Sequence, residues 1–345
     1  MPREISIEAL LQKEKEEAHT MIDVRSPKEY QEGTIPGAVN IPVFNDEERA
    51  EIGTIYKQVS PEAAKQRGLE IFSDKLPRFI EAFKKFDTPM TVFCWRGGMR
   101  SKTAASVLDL MGIHANRLTG GIRTYRQWIV QQLANIDFKP ELVVLNGYTG
   151  SGKTWLLQRL LENGYAVIDL EKMAGHRGSI FGQIGLDPNN QKKFDSLLVA
   201  DLLRYQDKPF VFIEGESKRI GKVLLPDFIC EKKDAGTQLF IHLPIEERVA
   251  HILSEYEPGL SPERFLEAYQ FIKKRIHVPV AKEIEEYLKA QNYRDAVRLL
   301  LEYYYDPRYD YGMKKTGSHI IDIQADSLED ALQKIKDFFS KLKKN

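Results

Sequence analysis

The octapeptide Gly147-Tyr148-Thr149-Gly150-Ser151-Gly152-Lys153-Thr154 leaves this chain the fewest folds to choose from. It fits the pattern Gly-x4-Gly-Lys-Ser/Thr, with the apolar run 142–145 before it and the helix-like run 155–161 after it. Such a loop cradles phosphates with backbone N–H groups and the positive end of a helix, so a strand must deliver the chain to it and a helix must carry it away. The expectation is a parallel α/β sheet around this point. Gly147, Gly150 and Gly152 are the candidate diphosphate cradle, Lys153 the neutralising cation and Thr154 the candidate Mg²⁺ ligand. No tightly bound cofactor is expected. The motif leaves open whether the diphosphate belongs to a nucleotide or to another compound.

At 345 residues the chain is long enough for two domains. Strand candidates at 20–24 and 90–93 alternate with helix candidates at 77–86, 101–111 and 125–133, a pattern that means a parallel α/β sheet. A polar stretch with Pro140 follows, and strands are again expected at 143–145, 166–168, 210–213 and 238–242. From about residue 261 to Tyr305 the pattern is helical. The predicted organisation is therefore one α/β domain over 1–135 and a P-loop α/β domain over 141–345, whose C-terminal part is helical from about 261.

Cys94-Trp95-Arg96-Gly97-Gly98-Met99-Arg100 follows the strand 90–93 directly and precedes a helix beginning near Ser101. Glycines let a backbone turn its N–H groups inward, and the helix offers its N-terminus to the same point. Cys94 is thus a candidate nucleophile facing an anion pocket formed by Arg96, Gly97, Gly98 and Arg100. A buried strand-end cysteine is more often a small hydrophobe, but the Arg-Gly-Gly-x-Arg-Ser surround favours chemistry. Cys230, in Asp227-Phe228-Ile229-Cys230, has no such cradle and reads as structural. Two cysteines so far apart make no disulfide framework.

The phrase Ile22-Asp23-Val24-Arg25-Ser26-Pro27-Lys28-Glu29-Tyr30, then Gly33-Thr34-Ile35-Pro36-Gly37-Ala38-Val39-Asn40-Ile41-Pro42, with Cys94 after a later strand, resembles rhodanese-like domains over roughly the first 130 residues. The resemblance implies a cysteine that handles sulfur or selenium. Typical sulfurtransferase loops resemble Cys-Arg-x-Gly-x-Arg; here Trp95 takes the second position and five residues separate Cys94 from Arg100. That length resembles the Cys-x5-Arg loop of phosphatase relatives and implies a wider pocket, suited to a phosphate-bearing donor.

In the second domain, Phe210-Val211-Phe212-Ile213-Glu214 holds the place of a Walker B strand but ends in glutamate, with Asp169 as an alternative carboxylate. His176-Arg177-Gly178-Ser179-Ile180-Phe181-Gly182 and Glu216-Ser217-Lys218-Arg219-Ile220-Gly221 read as binding loops, in which Arg177, Glu216 and Arg219 are candidate substrate or RNA contacts. His176 by itself is more often structural. With the Tyr305-Asp306-Pro307 turn, these loops joined to a rhodanese-like domain resemble the tRNA 2-selenouridine synthase family over nearly the whole chain. The resemblance implies a two-step exchange at the wobble uridine of tRNA. Geranyl diphosphate alkylates the sulfur of 2-thiouridine, and selenophosphate then supplies selenium while geranylthiol leaves. It implies Cys94 acting in selenation and the P-loop holding the diphosphate.

The chain carries 50 Lys plus Arg against 50 Asp plus Glu, so any RNA surface must be local. One basic stretch holds Arg96, Arg100, Lys102, Arg117, Arg123 and Arg126 against Asp109 alone. A second mixes Tyr303, Tyr304, Tyr305, Tyr309 and Tyr311 with Arg298, Arg308, Lys314 and Lys315, a composition open to base stacking and equally to core packing. With no apolar run of membrane length and a polar, charged stretch over 1–17, the expectation is a cytoplasmic protein with no membrane partner. Two other readings stay open on the residues: a P-loop kinase or ATPase with a regulatory rhodanese module, and a Cys-x5-Arg phosphatase.

Overall fold

The computed structural model describes residues 3–177, 187–256, 262–308 and 320–342. The chain divides into two compact units, Met1–Ile136 with Asp195–Ala200, and Asp137–Phe194 with Asp201–Asn345. Among the described residues no helix is long and apolar enough to cross a membrane.

The first unit runs β1 (Glu4–Ile5), α1 (Ile7–Glu16), β2 (Thr20–Asp23), α2 (Pro27–Gln31), β3 (Val39–Asn40), α3 (Asp46–Gln58), α4 (Pro61–Phe83), β4 (Met90–Phe93), α5 (Met99–Leu110), β5 (Ala115–Leu118) and α6 (Gly121–Asn135). Its sheet has the order β1-β5-β4-β2-β3 with every neighbouring pair parallel. Both faces are covered by helices, so β4 is buried along its length and reads as an unbroken apolar run. The helix expected over 77–86 is the end of a longer one. α4 begins at Pro61 behind the N-cap Ser60 and carries Pro77 in its interior. Phe72, Phe79, Ile80 and Phe83 lie on one face of α4 and are buried against Val92 and Leu108, and that packing overrides the breaking tendency of proline.

The rhodanese-like phrase is an architectural network as well as a signature. Asp23 and Arg25 are both buried, and Arg25 Nη2 donates to Asp23 Oδ2 at 2.6 Å and to the Gly33 carbonyl at 2.6 Å. Thr34 Oγ1 donates to the same carboxylate at 2.8 Å, and Asn40 Nδ2 donates to the carbonyls of Asp23 and Arg25 at 2.8 and 2.9 Å. Asp23→Ala is expected to destabilise this unit by about 3–5 kcal/mol, because it strands a buried guanidinium. Hydrogen exchange across β2 and β4 in urea reads the change; a loss below about 1 kcal/mol, the value of an exposed pair, would contradict the network.

The second unit runs β6 (Glu141–Gly147), α7 (Lys153–Glu162), β7 (Val167–Ile168), α8 (Leu170–Ala174), α9 (Gln191–Tyr205), β8 (Phe210–Glu214), β9 (Arg219–Ile220), β10 (Val223–Leu224), α10 (Asp227–Ala235), β11 (Thr237–His242) and α11 (Ile245–Tyr256). It continues with α12 (Pro262–Lys273), α13 (Val278–Lys289), α14 (Tyr293–Leu300), a π-helical turn (Leu301–Tyr305), β12 (Ile320–Gln324) and α15 (Leu328–Leu342). The sheet order is β12-β11-β6-β8-β7, all parallel, so the P-loop strand β6 is central. Leu156, Leu157 and Leu160 of α7 are buried with Phe212, Leu239 and Phe339 in one core. α12 to α14 and the π turn close a separate core around Tyr269, Ile284 and Leu288. The helical region expected from about 261 to Tyr305 is thus present, and after it the chain returns to the sheet as β12 and covers it with the last helix, α15.

Candidate functional site

Cys94 is the first residue past β4 and is 3% exposed. Its Sγ lies 3.2 Å from Oγ of Ser101 in the first turn of α5, and Gly98 is the N-cap of that helix. The loop therefore opens onto the positive end of α5. It is clamped from behind by α6, whose Ile122 and Arg123 N–H groups donate to the carbonyls of Cys94 and Trp95 at 2.9 and 3.0 Å. This contact requires Gly121: its φ is +59°, and a Cβ there would come within 2.1 Å of the Cys94 carbonyl oxygen. Arg117 Nη1 donates to the Gly97 carbonyl at 3.2 Å from the side.

The two arginines expected on the anion are placed differently. Arg100 is held by Glu29 through Nη1–Oε2 and Nη2–Oε1 hydrogen bonds of 2.5 and 3.1 Å. Glu29 also accepts the Ser26 N–H in the capping of α2. Burial alone would raise the Glu29 pKa; the hydrogen bond and charge of Arg100, with Ser26 and Arg49, outweigh it and hold the carboxyl below its ordinary value. Arg96, by contrast, is exposed at the rim with Trp95, Lys102 and Arg123. Beside the loop lies a groove of about 900 Å³ lined by Val43, Phe44, Ile52, Tyr56, Leu69 and Phe72, with Met99, Arg100 and Thr103 in its wall.

The P-loop leaves β6 at Gly147 and enters α7 at Lys153, whose Nζ reaches back to the Gly147 carbonyl at 3.4 Å. Gly150 has φ +81°, and a Cβ there would lie 2.7 Å from Ile252 Cδ1 and 3.0 Å from the Arg248 carbonyl, so the loop rests directly on α11. Gly152 caps α7. Thr154 Oγ1 donates to Glu171 Oε2 at 2.6 Å. Lys153, Thr154, Glu171, Arg177, Glu216, His251 and Glu255 line the cleft above the loop. Arg177 Nε donates to Glu255 Oε1 at 2.7 Å, with its guanidinium 4.8 Å from the Tyr256 ring centre. Burial lowers the His251 pKa; Glu255 opposes this and Lys153 adds to it.

Glu214, at the end of β8, does not face the cleft. It is fully buried and accepts the backbone N–H groups of Leu170 and Glu171 at 2.9 and 3.0 Å, fixing the start of α8. Burial, then repulsion from Asp169 and Glu171, pushes its pKa well above the ordinary carboxylate range. Asp169 is the N-cap of α8, accepting the Lys172 N–H at 2.8 Å. The carboxylates offered to the P-loop are instead Glu171 and Glu216. Burial raises the pKa of Glu216 against the charge of Lys153, with Glu171 adding to the rise and Lys233 opposing it. Among the described residues no group of His, Cys, Asp or Glu can hold a metal ion alone. The Thr154 hydroxyl with the Glu171 and Glu216 carboxylates is nonetheless an all-oxygen set that suits Mg²⁺ shared with a diphosphate.

The two predicted binding loops meet: the ring of His176 packs against Gly221. Arg219 lies exposed on the β9–β10 hairpin and does not line the cleft. Residues 178–182 of the first loop fall outside the described residues, as do Tyr309, Tyr311, Lys314 and Lys315. Of the remaining tyrosines, Tyr304 is buried beneath Arg308, Tyr305 packs against the helical core and Tyr303 faces outward. Arg298 is engaged by Glu246. Cys230 is half-buried, and burial raises its pKa. Arg248 escapes sequence reasoning altogether. It is buried, lies 5.2 Å from the Tyr148 ring centre and makes a bidentate pair with Asp306 at 2.9–3.2 Å. The Tyr-Asp-Pro turn thus ties the helical bundle to the phosphate loop.

A family model described as the tRNA 2-selenouridine synthase AAA domain matches residues 140–341, and the rhodanese-like domain model matches 6–127. The tRNA 2-selenouridine synthase of Sulfurovum sp. (strain NBC37-1) is 33% identical over 336 residues, covering 87% of this chain and 90% of that protein. That of Hydrogenovibrio crunogenus is 34% identical over 326 residues, 86% and 89% of the two chains. That of Nitrosomonas europaea is 35% identical over 244 residues, and there the match spans 68% of this chain and 63% of the relative, less than two thirds of its length. By both domain matches and these relatives, the chain belongs to the tRNA 2-selenouridine synthase family.

Proposed function

We propose that this chain is a tRNA-modifying transferase that converts wobble 2-thiouridine to 2-selenouridine in two steps, with geranyl diphosphate as alkyl donor and selenophosphate as selenium donor. The observation that carries this reading is the union in one chain of a cysteine anion loop with a P-loop whose strand-end carboxylate, Glu214, caps α8 instead of facing the phosphates. In P-loop hydrolases a carboxylate at that strand end holds Mg²⁺, whereas here the oxygens that face the loop come from Thr154, Glu171 and Glu216.

In the first step the sulfur of 2-thiouridine attacks C1 of geranyl diphosphate. The carbon–oxygen bond breaks, the diphosphate leaves with the electron pair, and the uridine loses its N3 proton. The P-loop amides and Lys153 take up the charge that grows on the leaving oxygen. Mg²⁺ held by Thr154 and Glu171 would add to that neutralisation.

In the second step, selenium in selenophosphate is already at the selenide level, so no oxidant is needed if the cysteine acts as nucleophile. Carrying selenium as a Cys94 perselenide would require one. Cys94 therefore attacks phosphorus: an S–P bond forms, the P–Se bond breaks and selenide departs with the pair. Selenide attacks C2 of the geranylated uridine, geranylthiolate leaves and takes a proton, and water hydrolyses the S–P bond to phosphate. The Ser101 hydroxyl, 3.2 Å from Sγ, is placed to stabilise the departing thiolate of that last step. Exposed Trp95, Arg96, Lys102 and Arg123 around the loop supply a stacking face and cations for RNA, and the adjoining groove gives an apolar chain somewhere to lie.

The test is to incubate the protein with 2-thiouridine tRNA, geranyl diphosphate and selenophosphate, and to analyse nucleosides by mass spectrometry. Geranylated and then selenated uridine are expected. If neither forms, the proposal fails, and robust ATP turnover without tRNA would favour a kinase or ATPase in its place.

A further inference from the structure

The cleft above the P-loop continues past His251 into a second one. Thr154, His251 and Glu255 line both, and the second, of about 570 Å³, is walled by Trp155 and Gln158 of α7, by α11 and by the start of α15. That volume falls within the roughly 300–1,000 Å³ of small-molecule sites. Its lining holds an indole, an amide, hydroxyls and the carboxylates of Glu247, Glu255 and Glu329, with no lysine or arginine. Such a surface repels phosphate but suits a nucleobase. A flat ring can lie against Trp155, its N–H groups find carboxylate acceptors, and Gln158 and Ser254 can donate to its carbonyl.

His251, whose side chain is 13% exposed, stands where the two clefts join. Glu255, one turn later on α11, presents Oε2 to its Nε2 at 3.6 Å, while Oε1 accepts from Arg177. The other charged groups bordering these clefts are Lys153 of α7, Glu247 of α11, Glu329 of α15, and Glu171 and Glu216 beside the phosphate loop. Burial lowers the pKa of His251, Glu255 opposing and Lys153 adding to the fall, so near neutral pH the imidazole is uncharged and able to accept a proton. Diphosphate bound at Lys153 offsets that cation and strengthens the base once the donor is in place. The Glu255 carboxylate then steadies the imidazolium that forms.

We propose that the thiolated base enters the phosphate site through this second cleft and that His251 is the general base of alkyl transfer. As sulfur bonds to C1 and the carbon–oxygen bond breaks toward diphosphate, the N3–H bond breaks, its electron pair stays on the nucleobase and the proton passes to the imidazole. Glu171 and Glu216 border the phosphate side alone, with Thr154 and Lys153 as their partners. The inference rests on the alkyl-transfer reading of the P-loop.

In transfer from geranyl diphosphate to 2-thiouridine tRNA near neutral pH, His251→Gln should lower kcat about 10²-fold, the lower end of what a general base contributes, with the affinity for inorganic diphosphate within threefold of wild type. The wild-type rate should rise with pH through the imidazole ionisation and then level off. The variant's rate should keep rising and approach wild type where N3 ionises unaided, and added imidazole should restore it in proportion to concentration. A loss of equal size at every pH without imidazole rescue makes the histidine structural and overturns the base, as does a loss below threefold. The cleft is tested by equilibrium binding of an anticodon stem–loop carrying 2-thiouridine, which Ala250→Trp, at an exposed position of the cleft wall, should weaken at least tenfold. Unchanged binding overturns the cleft and leaves the transfer reaction standing. Binding weakened in Ala250→Trp, with no alkyl transfer by the wild type at any pH, would keep the cleft and refute the reaction together with its proton transfer.

Discussion

Cys94→Ala is expected to lower selenium incorporation into tRNA by at least about 10³-fold, the scale on which loss of a covalent nucleophile is felt, while geranylation of the same tRNA stays within about threefold of wild type. The separation follows from placement. Cys94 directly follows β4 at the mouth of α5, in a loop whose backbone is clamped by α6, and the P-loop follows β6 of another sheet. Cys94 belongs to the buried core cluster that also holds Val92, Ala104 and Ala105, and the change in volume is small, so the variant should fold. Cys94→Ser is the control for shape, since it puts a hydroxyl of similar size in place of the thiol; it should fail in selenation as alanine does. Rapid quenching of wild type with selenophosphate should trap a phosphoryl group on Cys94 in the mass spectrum of its peptide. Selenation by Cys94→Ala at a tenth of the wild-type rate or better would remove the cysteine from the chemistry. Loss of geranylation along with it would mean that the two steps share one site.

The features legible in the sequence are those whose chemistry is contiguous along the chain. The P-loop and the cysteine loop each consist of a strand, a turn and a helix start within a dozen residues, and the structure gives both that local form. What stayed hidden depends on partners distant in sequence. Glu29 stood in plain view inside the rhodanese-like phrase, but its pairing with Arg100 spans 71 residues. Arg248 and Asp306 are 58 apart, so the Tyr-Asp-Pro turn read as a signature without a partner. Glu171 carries a weak signal: it sits just past the end of β7, where open α/β sheets bind ligands. Asp169 has the residue type of a Walker carboxylate, but its side chain caps α8. β12 escaped because, of its residues Ile320–Gln324, only Ile323 is buried, so an edge strand offered little alternation. Local propensity starts a helix at Pro77, whereas α4 runs through it because the burial of Phe72, Phe79 and Phe83 outweighs that propensity.

Lys153→Ala should reduce geranyl transfer about 10²–10³-fold, the loss typical of removing one preorganised group that stabilises developing charge, and the fall should lie mainly in kcat. Charge on the bridging oxygen grows as the carbon–oxygen bond breaks, so the ammonium interacts more strongly with the transition state than with bound geranyl diphosphate. The P-loop amides and Thr154 still hold the diphosphate in the variant, which limits the rise in KM. Lys153→Arg should rescue poorly. The Nζ lies 3.4 Å from the Gly147 carbonyl inside a loop already pressed against Ile252, and a planar guanidinium does not fit the place of a compact ammonium. Supplying tRNA that is already geranylated bypasses the first step, so Lys153→Ala should then select selenium at close to the wild-type rate. That experiment is decisive because it is the mirror of the cysteine variant: if pre-geranylated tRNA is not selenated by Lys153→Ala, the lysine serves both steps and the assignment of one step to each loop is wrong.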